Sequence, residues 1–389
     1  MNPIKFNDLS AQWDTIEKET MPKVQQFLRD GQYIGGPYVE AFEKEFAEYT
    51  GSKYAIGTSN GSDGLKLAIE ALDLRGNVNV ILPANGFMAD VFAAKYQVNA
   101  SYTVTFVDND EYFQMDVDKL KAHLEGQFRG WSTIIIPVHL YGHPSNMERI
   151  YELARMHSAH LIEDASQAQG AKCHGKMVGS WGDMTVYSLY PSKNLGACGD
   201  AGIITTNSEG LKNRLMMLRN YGSPKKYHHD IDGWNHRLDP IQAIILSAKL
   251  PHLDAWNARR REIHDMYQAK LEHLDVWGAR NLEHHSDPTR RVFLPKTAPY
   301  ASENVHHIFP ILCYRRDDLM KFLEIKGIPT IIHYPIALEK CLCNEGMHIE
   351  YQNINALRNA YMLLSLPIHP FMEHDEVEYV CASINEFFA

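Results

Sequence analysis

The sequence predicts an α/β fold: a large unit built on a mostly parallel sheet, followed by a smaller C-terminal α+β unit. Three observations predict it. Segments with strand and helix periodicity alternate over roughly the first 200 residues, as in successive βαβ units. Polar clusters follow several apolar runs, at Asn60 to Asp63, Asn85 to Phe87 and Asp164 to Gln167. Parallel sheets bind ligands past the carboxyl ends of their strands, so these clusters are expected to converge. A long helical pattern after Asp239 then leads into a short stretch of mixed strands and helices.

The elements follow in order. The stretch from Ala11 to Asp30 has helical spacing and ends at the turn GQYIGGPYVEAF. After Pro37, the apolar residues Val39, Phe42, Phe46 and Tyr49 recur at helical intervals, with Gly51 as C-cap. YAIGTSNGSDGLKLAIEAL reads as strand, turn and helix, and VNVILPANGFMADVFAAKY as strand, loop and helix. YTVTFVDND and WSTIIIPVHLYG, the latter rich in β-branched residues, read as strands. MERIYELARMHSA is a helix, HLIEDASQ a strand ending in polar residues, and MTVYSLYP and AGIITTN two further strands. The helical pattern from Pro240 to Leu274 links to the C-terminal part. There HHIFPILCY reads as a strand that begins with one packed and one exposed histidine, His306 and His307. RRDDLMKFLEIKG is a helix ending at Gly327, PTIIHYP a strand, and DEVEYVCASINEFF a closing helix.

A chain of 389 residues has room for a large domain and an appendage, and the boundary is expected near residue 250. Residues 1–250 form the large α/β domain with its N-terminal helical segment; residues 251–389 form the linking helix and the small domain. The composition, 45% hydrophobic and 22% charged, is that of an ordinary globular protein. No apolar run approaches a membrane span, and the N-terminus lacks the apolar stretch of a signal peptide, so a cytoplasmic protein is expected. A net charge of −10 argues against nucleic-acid binding, which needs basic stripes. The six cysteines show no framework spacing and are read as reduced thiols. Cys341, Cys343 and His348 lie close together but lack a second ligand pair at zinc spacing, so no metal is expected.

The stretch YSLYPSKNLGACGDAG, Tyr187 to Gly202, places Lys193 between a β-rich run and a glycine-rich turn. A lysine forms a Schiff base with an aldehyde once its amine is neutral. Pyridoxal phosphate is the aldehyde that most often uses lysine this way. It needs a carboxylate beside its pyridine nitrogen, donors for its phosphate and an aromatic ring on its open face. A candidate exists for each need. Asp164 ends an apolar strand and suits the nitrogen. Ser188, five positions before Lys193, suits the phosphate, as do Gly61, Ser62 and Asp63 at a helix start. Phe87 is the stacking ring, and Gln167 reaches the phenolic oxygen. Taken singly, each has an ordinary reading: Asp164 as a strand-end turn former, Asn60 to Asp63 as a helix start, Phe87 as core and Lys193 as a solvated charge.

As a set, in this order, these residues resemble the nucleotide-sugar aminotransferases. The likeness covers almost the whole chain, through GPYVEAFEKEFAEYTG, GTSNGSDGLKLAIEAL, LPANGFMADVFA, IEDASQAQGA, GDMTVYSLYPSKNLGACGDAGIITTN, LRNYGSPKKYHHDIDGWNHRLDPIQAIIL, IHYPIALEK and LLSLPIHP. The resemblance implies the type I pyridoxal-phosphate aminotransferase fold, with a mostly parallel seven-stranded sheet. It implies a Schiff base between pyridoxal 5'-phosphate and Lys193, which also shuttles the proton, with Asp164 as its carboxylate partner. Gly61, Ser62, Asp63, Phe87, Gln167 and Ser188 complete the cofactor site. Asn235 reaches into the partner subunit's site, which requires a homodimer. His333, Tyr334, Tyr190 and Lys225 are the substrate-binding candidates. Gly86 and Asp90 stand where the family often has threonines, and HYPIALEK lacks the usual second proline and later histidine.

The resemblance further implies transfer of nitrogen from glutamate to a nucleotide-linked keto-deoxy sugar. NGSDGL and RNYGSPKKY look most like the branch that makes 3-amino sugars from dTDP-3-keto-6-deoxyhexoses, for lipopolysaccharide or another surface glycan. A 4-aminotransferase acting on a dTDP-, UDP- or GDP-4-keto-6-deoxy sugar is the alternative within the class. A non-catalytic, cofactor-binding regulator or sensor is the alternative outside it. Lys225 and Lys226, with His228 and His229, read either as phosphate contacts or as a solvated loop. Arg237 and Asp239 read as a structural pair.

Overall fold

The computed structural model describes residues 3–95, 97, 100–126, 128, 130–274, 291–341 and 353–389. The N-terminal stretch forms helices α1 (Leu9–Asp14), α2 (Glu17–Asp30) and α3 (Pro37–Thr50). The alternating part follows as β1 (Tyr54–Thr58), α4 (Gly61–Ala71), β2 (Asn77–Pro83), α5 (Met88–Lys95), β3 (Ser101–Val107), α6 (Val117–Glu125), β4 (Ser132–Ile135), α7 (Met147–Met156) and β5 (His160–Asp164). Two short strands, β6 (Lys172–Cys173) and β7 (Lys176–Met177), precede β8 (Met184–Ser188), β9 (Gly202–Thr206), α8 (Glu209–Leu218) and α9 (Pro240–Lys249). Then come α10 (Leu253–Leu271), β10 (Ala301–Glu303), β11 (Phe309–Leu312), α11 (Arg316–Ile325), α12 (Ile354–Met362), β12 (Leu363–Leu366) and α13 (His374–Phe388).

The central sheet has seven strands in the order β1-β9-β8-β5-β4-β2-β3. β9 alone runs against its neighbours, and the other pairings are parallel. Both faces are covered, as the near-continuous apolar strands require. On one face, Val78, Val80 and Leu82 of β2 pack with Leu65 and Ile69 of α4 and Val91 of α5. On the other, Ile81 packs with Leu120 of α6 and Ile150 and Leu153 of α7. α3 and α9 close that face over β1, β8 and β9 through Phe42, Phe46, Tyr187 and Leu246. A separate apolar cluster joins β11 and β12 to α10, α11 and α13, and takes in Ile4 from the N-terminus. No helix among the described residues is long and apolar enough to cross a membrane.

Local departures from the expected elements have local causes. The first helical stretch breaks between Thr15 and Ile16. The long linking helix breaks at residues 250–252, where Pro251 removes a backbone donor. PTIIHYP is not a strand; it touches β12 only at Ile331–Ser365 and then turns inward. His306 and His307 precede β11 rather than opening it, and neither is exposed. His306 stacks on His264 with ring centroids 3.8 Å apart. Arg237 bonds the side-chain carbonyl of Asn220, and among the described residues it makes no ion pair with Asp239. Cys343 and His348 lie outside the described residues.

Glu163, beside Asp164 on β5, holds the turns under the sheet. Its buried carboxylate accepts the N–H groups of Gly179, Trp181 and Gly182 at 3.0, 2.9 and 2.9 Å and the Thr185 hydroxyl at 3.1 Å, and lies 3.2 Å from His139 Nε2. Burial opposes its charge, but His139 and the N–H donors together hold its pKa below the ordinary value. Its stabilisation is therefore present at neutral pH and is lost as pH falls through the depressed pKa. Glu163→Ala strands these donors, and urea denaturation should show a loss of about 3–5 kcal/mol.

Candidate active site

Four strands deliver the polar clusters to one edge of the sheet. β1, β2, β5 and β8 run parallel and end at Thr58, Pro83, Asp164 and Ser188. A cavity of about 520 Å³ lies past these ends, floored by the loop between β8 and β9. Its lining includes Gly61, Ser62, Asp63, Phe87, Asp164, Gln167, Ser188, Tyr190, Lys193, His333 and Tyr334.

The loop that carries Lys193 is fastened on several sides. Its own N–H donates to the Tyr190 carbonyl at 2.9 Å. Asn7 holds the Ser192 carbonyl, and Lys249 holds that of Gly196. Asn194 is buried and donates to Asn257 Oδ1 and the Val305 carbonyl, while its own Oδ1 meets His307 Nδ1 at 3.0 Å. With both neighbours fixed, the Lys193 side chain has one way out, into the cavity. The residue keeps some surface, but that surface is cavity wall; the amine itself is enclosed by protein. Burial pulls its pKa down to about 8, and Asp164 opposes the shift. Half the amines are then neutral at pH 8, where an ordinary lysine is almost wholly protonated. The second buried lysine, Lys249, differs in kind: its ammonium is bound by Gln12 and Gly196 at 2.7 Å each, as a structural cation.

Asp164 is 5% exposed, and its Oδ1 accepts the Ser166 N–H at 2.9 Å. It leaves β5 held by two backbone bonds, to Pro137 and His139. Opposite lies the start of α4. Asn60 caps it by accepting the Asp63 N–H at 2.8 Å, and the Asp63 carboxylate is taken by Ser59, Asn60 and His236. Burial alone would raise the Asp63 pKa, but His236 and Ser59 bring it below the ordinary value. Asp63 therefore shapes the turn, and the first-turn N–H groups of Gly61 and Ser62 are left for a ligand. A Cβ on Gly61 would lie 2.8 Å from that of Ser188, so only glycine lets the turn close on the serine.

The remaining wall is aromatic. The Gln167 carbonyl accepts the Tyr141 N–H at 2.6 Å, and its amide donates to the Tyr334 hydroxyl at 3.2 Å, leaving one amide hydrogen with no partner among the described residues. The Tyr141 hydroxyl holds the His333 carbonyl at 2.5 Å, and His333 Nδ1 lies 2.9 Å from the Ser365 hydroxyl. Burial, with the Lys193 charge, lowers the His333 pKa to about 4, so it is neutral at physiological pH. Phe87 is 56% exposed at the cavity mouth, its ring 5.7 Å from Tyr334.

Asn235 and Lys225 lie outside this cavity. Asn235 is exposed and bridges to Asn220, beside a surface hollow lined by Ile34, Arg219, Asn220, Lys226 and Arg237. Lys225 sits in an exposed turn against His228. His307, Asp200 and Ser192 line the cavity and were not foreseen from the sequence. Asp200 and Ser192 lie within the lysine stretch itself; nothing local marks His307, which chain reversal brings from over a hundred positions away.

A family model for the "DegT/DnrJ/EryC1/StrS aminotransferase family" matches residues 14–385. The chain belongs to this family. It is 34% identical over 385 residues to a dTDP-3-amino-3,4,6-trideoxy-alpha-D-glucose transaminase of Streptomyces venezuelae, covering 99% of this chain and 96% of that protein. It is 38% identical over 384 residues to a dTDP-3-amino-3,6-dideoxy-alpha-D-galactopyranose transaminase of Aneurinibacillus thermoaerophilus, with 99% of each covered. The crystal structure of S. venezuelae DesV in complex with a ketimine intermediate superposes with a TM-score of 0.90 at 34% identity, covering 100% of this chain and 99% of that one. The type I aminotransferase fold and the seven-stranded sheet expected from the sequence are both present.

Proposed function

We propose that this chain transfers an amino group from glutamate to a dTDP-linked 3-keto-6-deoxyhexose, giving the 3-amino sugar. The chain is a pyridoxal-phosphate-dependent sugar aminotransferase by family. The observation that carries the reading is that Lys193, whose amine has its pKa lowered by burial, and the buried Asp164 carboxylate line one cavity. The 3-amino products named for the two relatives support the position of amination and the dTDP carrier.

The residues present fit the cofactor. Asp164 offers a carboxylate to the ring nitrogen. Gly61, Ser62 and Ser188 offer backbone and hydroxyl donors to a phosphate at the start of α4, the favoured place for an anion. The free amide hydrogen of Gln167 suits the phenolic oxygen, and Phe87 offers a ring face. When bound, pyridoxal phosphate supplies the carbonyl that carries nitrogen and a ring that takes up the electron pair. Lys193 would anchor it, and its freed Nζ would take the α-proton from the donor in the first half-reaction and deliver a proton to the sugar carbon in the second. Asp164 holds positive charge on the ring nitrogen. Tyr334, His333 and Tyr190 face the space left for substrate.

The same reading makes the protein a cytoplasmic homodimer. Asn235 is exposed and outside its own cavity, as expected of a residue that completes the partner's site, and Lys225 in the nearby turn would then meet the sugar's diphosphate. The domain boundary is proposed near residue 250, and the product is proposed to enter lipopolysaccharide or another surface glycan. The test is amination of purified 3-keto and 4-keto dTDP-6-deoxyhexoses with glutamate as donor. The expected result is a 3-amino product; turnover confined to the 4-keto sugar, or to UDP or GDP carriers, would overturn the substrate assignment.

A further inference from the structure

We propose that His307 is a substrate-binding residue: its ring nitrogen Nε2 accepts a hydrogen bond from a hydroxyl of the sugar in the cavity. The inference rests on the sugar-aminotransferase reading above and adds a residue to it.

Two backbone carbonyls set the direction of every hydrogen bond around this ring, because a carbonyl can only accept. The Gln169 carbonyl takes the Asn257 amide N–H at 2.9 Å, so Asn257 turns its Oδ1 toward Asn194. The Asn194 amide nitrogen donates to that oxygen at 2.8 Å and to the Val305 carbonyl at 2.9 Å. Asn194 Oδ1 is left facing His307 Nδ1 at 3.0 Å, so the hydrogen of that bond belongs to the histidine. Burial first, and then the charges of Lys193 and Arg260, hold the ring's pKa well below the ordinary histidine value. At neutral pH no second hydrogen sits on the ring, and Nε2 carries a lone pair.

That lone pair opens on the cavity. His307 is half-buried and lines the cavity wall with Ile308, His333 and Tyr334. Nδ1 is taken by Asn194. Nε2 has no hydrogen-bond partner among the described residues, yet it is not sealed from open space as the unpartnered Asn304 Oδ1 is. The backbone under the ring is fixed. Arg260 donates to the His307 carbonyl at 3.4 Å and to that of Ile368 at 2.7 Å. On the other side, a Cβ on Gly142 would lie 2.7 Å from the His307 nitrogen, so glycine is what lets the segment close there.

A fixed acceptor selects its ligand. It repels phosphate and carboxylate oxygens and takes an O–H or N–H. The cofactor's ring nitrogen, phenolic oxygen and phosphate are already matched to Asp164, Gln167 and the Gly61, Ser62 and Ser188 donors. Glutamate brings two carboxylates and one ammonium group, which must go to the cofactor's carbonyl. The hydroxyls of the sugar are the donors that remain.

The test follows the two half-reactions separately, by cofactor absorbance, in full-length cofactor-loaded native protein, His307→Phe and His307→Gln. Glutamate is the probe for one half and a dTDP-3-amino-3,6-dideoxyhexose, run in reverse, for the other. In His307→Phe the sugar half should lose at least about tenfold in kcat/KM, mainly through KM, while the glutamate half stays within a few-fold of native. His307→Gln keeps an N–H for Asn194 and an acceptor for the sugar, and should recover most of the loss. Equal losses in both halves would mean that the ring serves Lys193 or the cofactor, and an unchanged sugar half that it touches no substrate; either overturns the proposal. If His307→Phe does not fold, the imidazole nitrogen NMR spectrum of the native protein decides, with the His307 signals identified by their absence from His307→Gln. The unprotonated Nε2 signal should move when the amino sugar is added, and an unmoved signal overturns the proposal. A native protein that reacts with neither probe would instead sink the reading of the cavity, and this proposal with it.

Discussion

Lys193→Ala is expected to lower the transamination rate by at least about 10³-fold and to leave the cofactor bound without a covalent link. The expected effect is large because, on the proposed reading, one atom has two duties: Nζ would anchor the aldehyde and then carry the proton. Steady-state turnover and the visible absorbance of the loaded protein read the two separately. The residue also leaves a mark on the cofactor-free fold. Its folded pKa of about 8 lies below its ordinary value of 10.5, so between these the unfolded chain binds more protons. Stability of the native apoprotein should therefore rise with pH across that window, and Lys193→Ala should flatten the rise. Turnover retained within tenfold of native would remove Lys193 from the mechanism.

Asp164→Asn is expected to cost about 10²–10⁴ in kcat while changing the fold little. Asparagine keeps the shape of the side chain and can still meet the Ser166 N–H, but it cannot hold a positive charge on the ring nitrogen. The ring then accepts electrons poorly, and proton removal by Lys193 becomes the slow step. A deuterium isotope effect on the α-proton of glutamate should therefore be larger in the variant than in the native enzyme. An unchanged kcat would show that the ring nitrogen is not paired with this carboxylate.

Much of this site was legible because its parts are local. An apolar run ending in Asp164, a capped helix start at Asn60 to Asp63, and a lysine in a glycine-rich turn each carry their own short-range signature. Strand alternation placed them at the same sheet edge before any contact was known. What was not legible depends on chain reversals. His307 meets Asn194 across 113 positions, and the Tyr141 hydroxyl reaches the His333 carbonyl across 192. PTIIHYP has strand composition, yet it pairs with β12 at one point only, because the chain must turn there to bring His333 and Tyr334 into the cavity. α6, α8 and α12 fill stretches that the strand pattern alone leaves unassigned.

The most direct test of the account is chemical trapping. The protein is incubated with pyridoxal phosphate, reduced with borohydride, digested and mapped by mass spectrometry. The account predicts one cofactor-sized adduct, on the ε-nitrogen of Lys193, and none once glutamate has converted the cofactor beforehand. A label spread over surface lysines, or an unmodified Lys193 in protein that has bound the cofactor, would contradict it.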